Sequence, residues 1–219
     1  MLEIMAKHLY IYVVDRDFGF APNPFHGYCT LATCKPQIRA RAHIGDWIMG
    51  VGGTRLNATG KCVYLMRVSE ILTFNGYWSD SRFQIKKSLR NGSKVMMVGD
   101  NIYHQDVGTE NWTQEDSHHS NPDGSPNVEN LSTDTSSCNV LVSDHFYYFG
   151  KVAPAVDLES IGYKNRRNYN KKLISDAAVA NLINWIEQCY KKEINLVQGD
   201  PFNFSSASKR VNQATGRIL

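Results

Sequence analysis

The chain contains a long stretch that cannot form one continuous helix or strand. It lies between a strand pattern that ends at Val14 and another that begins at Trp47. Residues 15–39 read DRDFGFAPNPFHGYCTLATCKPQIR, with three prolines and two glycines that interrupt regular structure. The stretch also contains Phe18, Phe20 and Phe25, and a solvated loop seldom uses three phenylalanines. We therefore expect this long loop to fold over other parts of the protein.

Several short segments on either side have the composition of strands. They are β-branched, aromatic or alternating in polarity, and they cover residues 8–14, 47–51, 62–71, 95–98 and 139–149. A Gly/Asn-rich loop joins 47–51 to 62–71, which predicts a hairpin. Residues 73–83 predict a short helical or irregular element, and residues 108–139 a long polar loop. One amphipathic helix is predicted near the C-terminus, with Ser175 as its N-cap.

Short strands with few helices favour an α+β fold, a small mixed β-barrel with peripheral helices and a C-terminal helix. We predict the barrel over residues 1–155, a basic segment with the helix over 156–202, and a flexible tail over 203–219. The helix at 175–191 is expected to pack on the barrel, or to dock a second copy or a partner protein.

Composition excludes several classes of protein. In 219 residues no apolar run approaches the ~20 that a membrane-spanning helix needs, and Glu3, Lys7 and Asp15 interrupt any signal-peptide core. Five cysteines without a CxxC pair argue against a structural metal site or a disulfide framework. Phosphate-loop, dinucleotide-binding, zinc-protease, serine-hydrolase and base-deaminase motifs are missing. We expect a cytoplasmic protein without membrane, metal or cofactor.

The distribution of charged residues is more informative than the net charge, which is only +3. Residues 163–172, YKNRRNYNKK, hold five basic side chains and no acidic one. This run is either a solvated linker or a rim that contacts nucleic-acid phosphates through Arg166, Arg167, Lys171 and Lys172.

The long loop carries the first group of candidate functional residues, which are Asp15, His26, Cys29, Thr30, Cys34 and Lys35. A cysteine nucleophile activated by histidine fits these residue types, although neighbours in sequence need not be neighbours in space. The interpretation we favour is a loop that presents backbone donors, Thr30 and Lys35 to an anionic or base-like ligand.

Two further segments suggest recognition of a planar base. Trp47, in GDWIMG, is either a core residue or a stacking platform. The segment GDNIYH offers Asp100 and Asn101 as hydrogen-bonding groups for a base edge, with Tyr103 and His104 to stack or donate. The alternative for GDNIYH is a turn followed by a half-buried strand.

The segment DSHHS is the strongest candidate for chemistry. Asp116, Ser117, His118 and His119 are concentrated inside an otherwise bland polar region. Adjacent histidines on an extended segment point to opposite faces, so they would not chelate one metal together. One histidine could still act as a general base that Asp116 or Asp144 orients.

The strings FAPNPFHG, TLATCKP, GDNIYH and DSHHS follow one another in this order. With them the chain resembles the nucleotide modification associated domain 2 family of bacteria and their viruses, over about residues 10–150. The resemblance implies a setting, systems that modify DNA bases or defend against phages, rather than a defined reaction.

A second similarity concerns architecture. The GDW strand and the following VYLMRVSEI strand are similar to the PUA-like superfamily, particularly its EVE and YTH branches, whose small β-barrels hold a flipped, often modified base. This similarity implies that Arg39, Gly45, Asp46 and Trp47 lie near the mouth of such a barrel.

Three functions follow as hypotheses. The favoured one is a module that binds a modified nucleotide or base, with Trp47 and Tyr103 stacking and with Lys35 and Arg39 at phosphate. The alternative is an enzyme that modifies or hydrolyses a nucleotide, in which Asp15, Asp116, His118 or His119 is catalytic. A scaffold within a modification complex is the third. The expected partners are a nucleotide, a modified base or DNA.

Overall fold

The structure is a computed structural model that describes residues 7–106, 108–164, 170–212 and 217–218. The strands in these ranges are β1 (His8–Val14), β2 (Cys29–Leu31), β3 (Trp47–Gly52), β4 (Cys62–Arg67), β5 (Glu70–Thr73), β6 (Tyr103–Gln105), β7 (Trp112–Gln114), β8 (Asn139–Ser143), β9 (Phe146–Tyr148), β10 (Asn170–Leu173), β11 (Val211–Asn212) and β12 (Arg217–Ile218). The α-helices are α1 (Pro36–Arg39), α2 (Phe74–Ser79), α3 (Lys94–Met97), α4 (Val128–Thr135) and α5 (Ala177–Cys189). Single 3₁₀ turns lie at Thr54–Leu56, Ser81–Lys86, Gly150–Val152, Lys191–Glu193 and Phe204–Ser206.

The chain divides into two compact units, each assembled from separate stretches of sequence. The first unit comprises the described residues up to Arg16, residues 42–69 and residues 143–202. The second unit comprises residues 17–41, residues 70–142 and the described residues from Asn203 onward.

The first unit is built on a five-stranded sheet in the order β10-β1-β3-β4-β9. The central pair β1 and β3 is parallel, and the other neighbours are antiparallel. Helix α5 buries Val179, Leu182, Ile183 and Ile186 in the same apolar core as Leu9 of β1 and Met49 of β3. The i, i+3, i+4, i+7 spacing of these four residues explains why one face of the helix packs inward.

A glycine is needed at one point of this sheet. At Gly50 of β3, an added Cβ would lie 2.3 Å from the Tyr64 ring of β4, so any larger residue would force the strands apart. The hydroxyl of Tyr64 in turn donates to Tyr12 Oη at 2.8 Å, which ties β4 to β1 across β3. The residue type at position 50 therefore follows from the packing of an aromatic side chain.

The second unit combines a three-stranded sheet, β2-β8-β5, with the β6–β7 hairpin and helices α1 to α4. Its core is aromatic, and it includes Phe18 and Phe20 of the long loop together with Phe74, Tyr77, Phe83 and Tyr103. The prediction that the long loop folds inward is confirmed, since both of these loop phenylalanines are at most 5% exposed.

Local patterns predicted many elements correctly. The strand at residues 8–14, the antiparallel pairing of β3 with β4 and the strands on both sides of Asp144 are confirmed. The late helix is also confirmed, but Asp176 rather than Ser175 is its N-cap, with Asp176 accepting from the Ala178 N–H at 2.9 Å.

Three predictions of secondary structure are wrong. The single strand over 62–71 is two strands, β4 and β5, which belong to different sheets. The strand at 95–98 is helix α3, whose first turn is capped by the Ser93 hydroxyl. The polar loop over 108–139 contains β7 and α4, and α4 begins where the Asn127 side chain accepts from the Asn130 N–H at 2.9 Å.

The architecture is a mixed α and β one with several sheets. The PUA-like barrel is not confirmed, because the pairings found among the described residues leave β10 and β9 at the two edges of the five-stranded sheet. In the same part of the chain, every helix is too short or too polar to cross a bilayer.

Candidate functional site

The long loop ends in an unusual backbone conformation at Cys34. Both Cys34 (φ 58°) and Lys35 (φ 43°) are left-handed, immediately before α1. Such a conformation costs a non-glycine residue of order 1–3 kcal/mol and persists only where surrounding contacts hold it. Two contacts do so, since the Cys34 N–H donates to Asp134 Oδ1 at 2.7 Å and the Cys34 carbonyl accepts from Arg39 Nε at 2.8 Å.

Cys34, His119 and Asp134 bring a thiol, an imidazole and a carboxylate together, with the sulfur, one ring nitrogen and one carboxylate oxygen within 4.8 Å of one another. Cys34 Sγ lies 3.8 Å from His119 Nε2, and His119 Nδ1 lies 2.8 Å from Asp134 Oδ2. The thiol is only partly buried, whereas His119 is 2% and Asp134 is 0% exposed. The cysteine is therefore the member that a molecule from solution would meet. We call these three residues the Cys34 site.

The electrostatics of the site favour a charged histidine. Burial alone would lower the pKa of His119, but the Asp134 carboxylate and Cys34 outweigh it and raise that pKa to about 10. Burial would likewise raise the pKa of Asp134, yet the charge and hydrogen bond of His119 hold it below the ordinary value. The charged imidazole therefore faces the Cys34 sulfur at 3.8 Å.

Polar groups of the β6–β7 hairpin and α4 complete the surroundings of the pair. Tyr103 donates to Asp134 Oδ2 at 2.9 Å, and Gln114 Nε2 donates to Tyr103 Oη at 3.0 Å and to the His119 carbonyl at 3.2 Å. Asn130 Nδ2 donates to the same carbonyl at 2.6 Å. Because these donors fix both the carboxylate and the histidine backbone, the imidazole is oriented before any ligand arrives.

Aromatic rings pack against the two histidines. The Phe20 ring lies 4.7 Å from His119 and 5.2 Å from His118, and the Phe18 ring lies 4.3 Å from His118. His118 Nδ1 is 2.6 Å from the Lys209 carbonyl, and burial holds the pKa of His118 well below its usual range. His118 is thus a neutral core residue beside a charged neighbour.

The same three groups are also a candidate metal-ligand set among the described residues. However, the two ring nitrogens of His119 face different partners, Nε2 towards Cys34 and Nδ1 towards Asp134. A cation held by all three residues would have to replace the contact that one of these nitrogens makes now. The arrangement fits nucleophilic chemistry better than metal binding.

Comparison with known proteins supplies the broader context. The family model for nucleotide modification associated domain 2 matches residues 6–208, nearly the whole chain. The chain belongs to this family. No curated protein and no solved structure matches it. The family match includes every residue of the Cys34 site, and the name of the domain indicates involvement in nucleotide modification.

Thr30 and Asp100 meet in a second buried cluster of this family member. The Thr30 hydroxyl donates to Asp100 Oδ2 at 2.6 Å, and Tyr77 donates to Oδ1 at 2.8 Å. Lys86, 1% exposed, donates to Thr30 Oγ1 at 3.2 Å. Burial lowers the pKa of Lys86 to about 8 and raises that of Asp100 to about 6. The polar groups of this cluster are therefore hydrogen-bonded to one another.

Asn101 and Arg39 are buried as well. Asn101 Nδ2 donates to the carbonyls of Tyr77 and Phe83, and its Oδ1 is a buried atom without a hydrogen-bond partner in the described structure. Arg39 is 0% exposed, and backbone carbonyls surround its guanidinium.

The neighbours of His119 in the DSHHS segment have structural contacts. Asp116, exposed, accepts from Arg210 at 2.6 Å. Ser117 is buried, and its hydroxyl accepts from the His119 N–H at 3.3 Å. The carboxylate that hydrogen-bonds to His119 is Asp134, while Asp116 pairs with Arg210 and Asp144 is an exposed residue of the first unit.

His104 stacks on Trp78 at 4.1 Å with 20° between the rings, and Lys87 Nζ lies 3.3 Å from the Trp78 ring centroid. His104 also lies 3.0 Å from Glu115 Oε1. This half-buried aromatic and basic cluster was not predicted, since Trp78 falls in a segment whose pattern is irregular.

Of the other loop candidates, His26 is exposed and Lys35 half-buried. The pKa of His26 is lowered by its partial burial and by the charge of Lys86.

The remaining candidates lie in the first unit. Asp15 is half-buried, and Trp47 is 6% exposed and packs edge-on against His145 at 5.3 Å between ring centroids. Lys171 and Lys172 lie on the edge strand β10, while Arg166 and Arg167 lie outside the described residues.

Sequence patterns gave no indication that Asp134, Lys86 and Tyr77 belong to the two buried clusters. Asp134 lies in a segment that reads as a polar loop, and an i to i+15 spacing from His119 has no local signature. The one available signal was weak: Asn127 followed three residues later by Asn130 marks the start of α4.

Proposed function

We propose that this protein is an enzyme of nucleotide modification that uses Cys34 as a covalent nucleophile, with His119 as its proton donor and acceptor and Asp134 as the orienting carboxylate. The supporting observation is the alignment of a partly exposed thiol, a buried imidazole at 3.8 Å and a carboxylate at 2.8 Å from that imidazole. A nucleophile, a base and an orienting group in this order are the pattern of covalent catalysis.

The family supplies the substrate class, a nucleotide or a base within a nucleic acid. Attack by the thiolate forms a bond from sulfur to an electrophilic carbon of the base or of an attached group, and an electron pair moves to a nitrogen or oxygen of the substrate. The proton on His119 Nε2 neutralises that atom, and it returns when the sulfur–carbon bond breaks. Asp134 stabilises the imidazolium before the proton leaves and after it returns, and it orients the neutral imidazole in between.

Alkylation of the native protein by iodoacetamide tests the nucleophile. We expect Cys34 to react faster near pH 7 than the exposed Cys138 and Cys189, as measured by peptide mass spectrometry. His119→Asn and Asp134→Asn should remove this advantage, because the thiolate loses its counter-charge or the imidazole loses its orientation. The matched control is Cys138→Ser, which should leave the rate at Cys34 unchanged. Equal rates at all three cysteines would contradict the proposal.

A second measurement tests the substrate. Nucleosides, nucleotides and short single-stranded DNA, plain and base-modified, are screened by thermal shift and then by turnover on the compounds that bind. A ligand present at 100 times its dissociation constant stabilises the folded protein by about 2.7 kcal/mol. The enzyme proposal expects Cys34→Ser to keep ligand binding and to lose turnover.

A binding module for a modified nucleotide or base, in a DNA-modification or phage-defence system, is the second candidate. The observation that favours it is the partly exposed Trp78–His104 stack beside Lys87, an aromatic and basic surface of the type that holds bases. Binding that Trp78→Ala abolishes, without turnover of any nucleotide, would support this candidate. Two further proposals accompany this candidate: a PUA-like architecture and a docking role for residues 175–191.

A further inference from the structure

Arg39 links the backbone of Cys34 to the backbone of Asp134, in addition to the direct bond from the Cys34 N–H to the Asp134 carboxylate. We infer that Arg39 is a positioning residue for the Cys34 site, a role that rests on the proposed function. The inference differs from the sequence-based hypothesis, which placed this side chain at a ligand phosphate.

One guanidinium binds the backbone on both sides of the site. Its Nε donates to the Cys34 carbonyl at 2.8 Å, and its Nη2 donates to the Asp134 carbonyl. Its Nη1 donates to the carbonyls of Ser137 at 3.0 Å and Asn139 at 2.6 Å. The loop that carries the thiol and the helix end that carries the carboxylate are therefore held by one side chain.

Two of these bonds go to carbonyls at points where the backbone leaves regular structure. The Asp134 carbonyl is one of the last four of α4, which have no partner within a helix. The Cys34 carbonyl belongs to a left-handed residue whose conformation needs external support. Arg39 itself is held in return, because Asn139 Nδ2 donates to its carbonyl at 3.0 Å.

Lysine cannot reproduce this arrangement. A guanidinium carries five N–H donors in a rigid planar fork, whereas an ammonium is a compact charge with three donors on a flexible stem. Arg39→Lys keeps the positive charge near Asp134 but releases at least one of the two backbone segments. The substitution thus separates geometry from charge.

The test is the rate of iodoacetamide alkylation of Cys34 against pH, at a temperature where every variant is folded by circular dichroism. Arg39→Lys should slow alkylation at pH 7 by on the order of 10²-fold, the loss that a displacement of ~1 Å can cause, and should bring its pH profile close to that of His119→Asn. The matched control is Arg90→Lys, since Arg90 also binds backbone carbonyls, those of Met97, Ala207 and Ser208. That control should keep the wild-type profile even where it lowers the melting temperature.

A wild-type profile in Arg39→Lys would overturn the inference, and so would an equal loss in Arg90→Lys, because the effect would then follow stability alone. If Arg39→Lys does not fold, Asn139→Ala decides: slower alkylation supports the inference and the wild-type rate overturns it. Failure of the proposed function looks different, since wild-type Cys34 would then react no faster than Cys138.

Discussion

Burial sets the protonation of several single residues in the second unit. His119 and Asp134 are both removed from water, and each is the largest influence that keeps the other charged. His118, the preceding residue, has no carboxylate partner in the part of the chain that the structure describes, and its pKa is depressed by burial. Two adjacent histidines therefore have opposite charge states near neutral pH, which the sequence HH cannot show.

His119→Asn should change how stability depends on pH. The folded-state pKa of about 10 exceeds the ordinary 6.5, so the folded protein holds an extra proton between these values. The resulting stability is complete below pH 6.5 and is lost as the pH rises through 10. We expect the wild-type free energy of unfolding to fall, relative to the variant, by at most about 1.4 kcal/mol per pH unit from pH 6.5 to 8.

Urea denaturation at half-unit intervals over this window measures the difference. The window ends at pH 8 because Lys86, with its lowered pKa of about 8, contributes the opposite slope above it. Parallel curves for the wild type and His119→Asn would contradict the prediction and the charge assigned to the imidazole.

At the scale of elements, the long loop depends on a single lysine. Lys86 Nζ donates to the Asn23 carbonyl at 3.0 Å, to Asn23 Oδ1 at 2.8 Å and to the Tyr28 carbonyl at 2.9 Å. These contacts fix the irregular backbone that precedes β2 and then Cys34. A stretch rich in proline and glycine can thus position a thiol without regular structure of its own.

Lys86→Met should destabilise the protein by about 3–5 kcal/mol, because it leaves Asp100 and two carbonyls buried without their cation. The double variant Lys86→Met/Asp100→Asn should recover part of this loss. Lys87→Met is the control, since its half-buried ammonium packs on the Trp78 ring outside this network and a change within about 1 kcal/mol is expected. Chemical denaturation of the wild type, these three variants and Asp100→Asn gives the comparison, and additive losses in the double variant would contradict a coupled network.

At the scale of the whole molecule, charge decides which form of nucleotide the protein can bind. A net charge of +3 is too small to attract a polymer by itself, so we predict that any binding to DNA uses the basic segment 163–172. Binding of a free nucleotide does not need this segment. The affinity for DNA and the affinity for a free nucleotide should therefore differ in their dependence on salt.

If the basic segment contacts phosphates, Arg166→Gln/Arg167→Gln should reduce the slope of log Kobs against log salt for single-stranded DNA by about 1.4, or roughly 0.7 for each contact. The control is Lys191→Gln/Lys192→Gln, which removes the same charge from an exposed turn of the first unit and should leave the slope unchanged. Fluorescence anisotropy between 50 and 200 mM salt, about the range in which such contacts weaken, measures both. Equal slopes for the two variants would exclude the segment as a specific contact.

The sequence by itself determined the elements that depend on neighbours along the chain. Strand β1, the β3–β4 pair and helix α5 follow from runs of β-branched residues, from turn residues and from helical spacing, all of which act within about ten residues. It also indicated that His119 and the long loop are functional candidates, and the motifs of residues 20–120 pointed to the correct family.

Only the tertiary structure decided how these parts combine. Asp134 reaches His119 from a segment that reads as a loop, Lys86 enters the core from a 3₁₀ turn, and Arg39 binds carbonyls about 100 residues away. Charges and bare carbonyls are stable in such places only when distant groups satisfy them, and that compensation has no local signature. The Cys34 site is therefore a product of long-range contacts among residues whose sequence neighbourhoods are unremarkable.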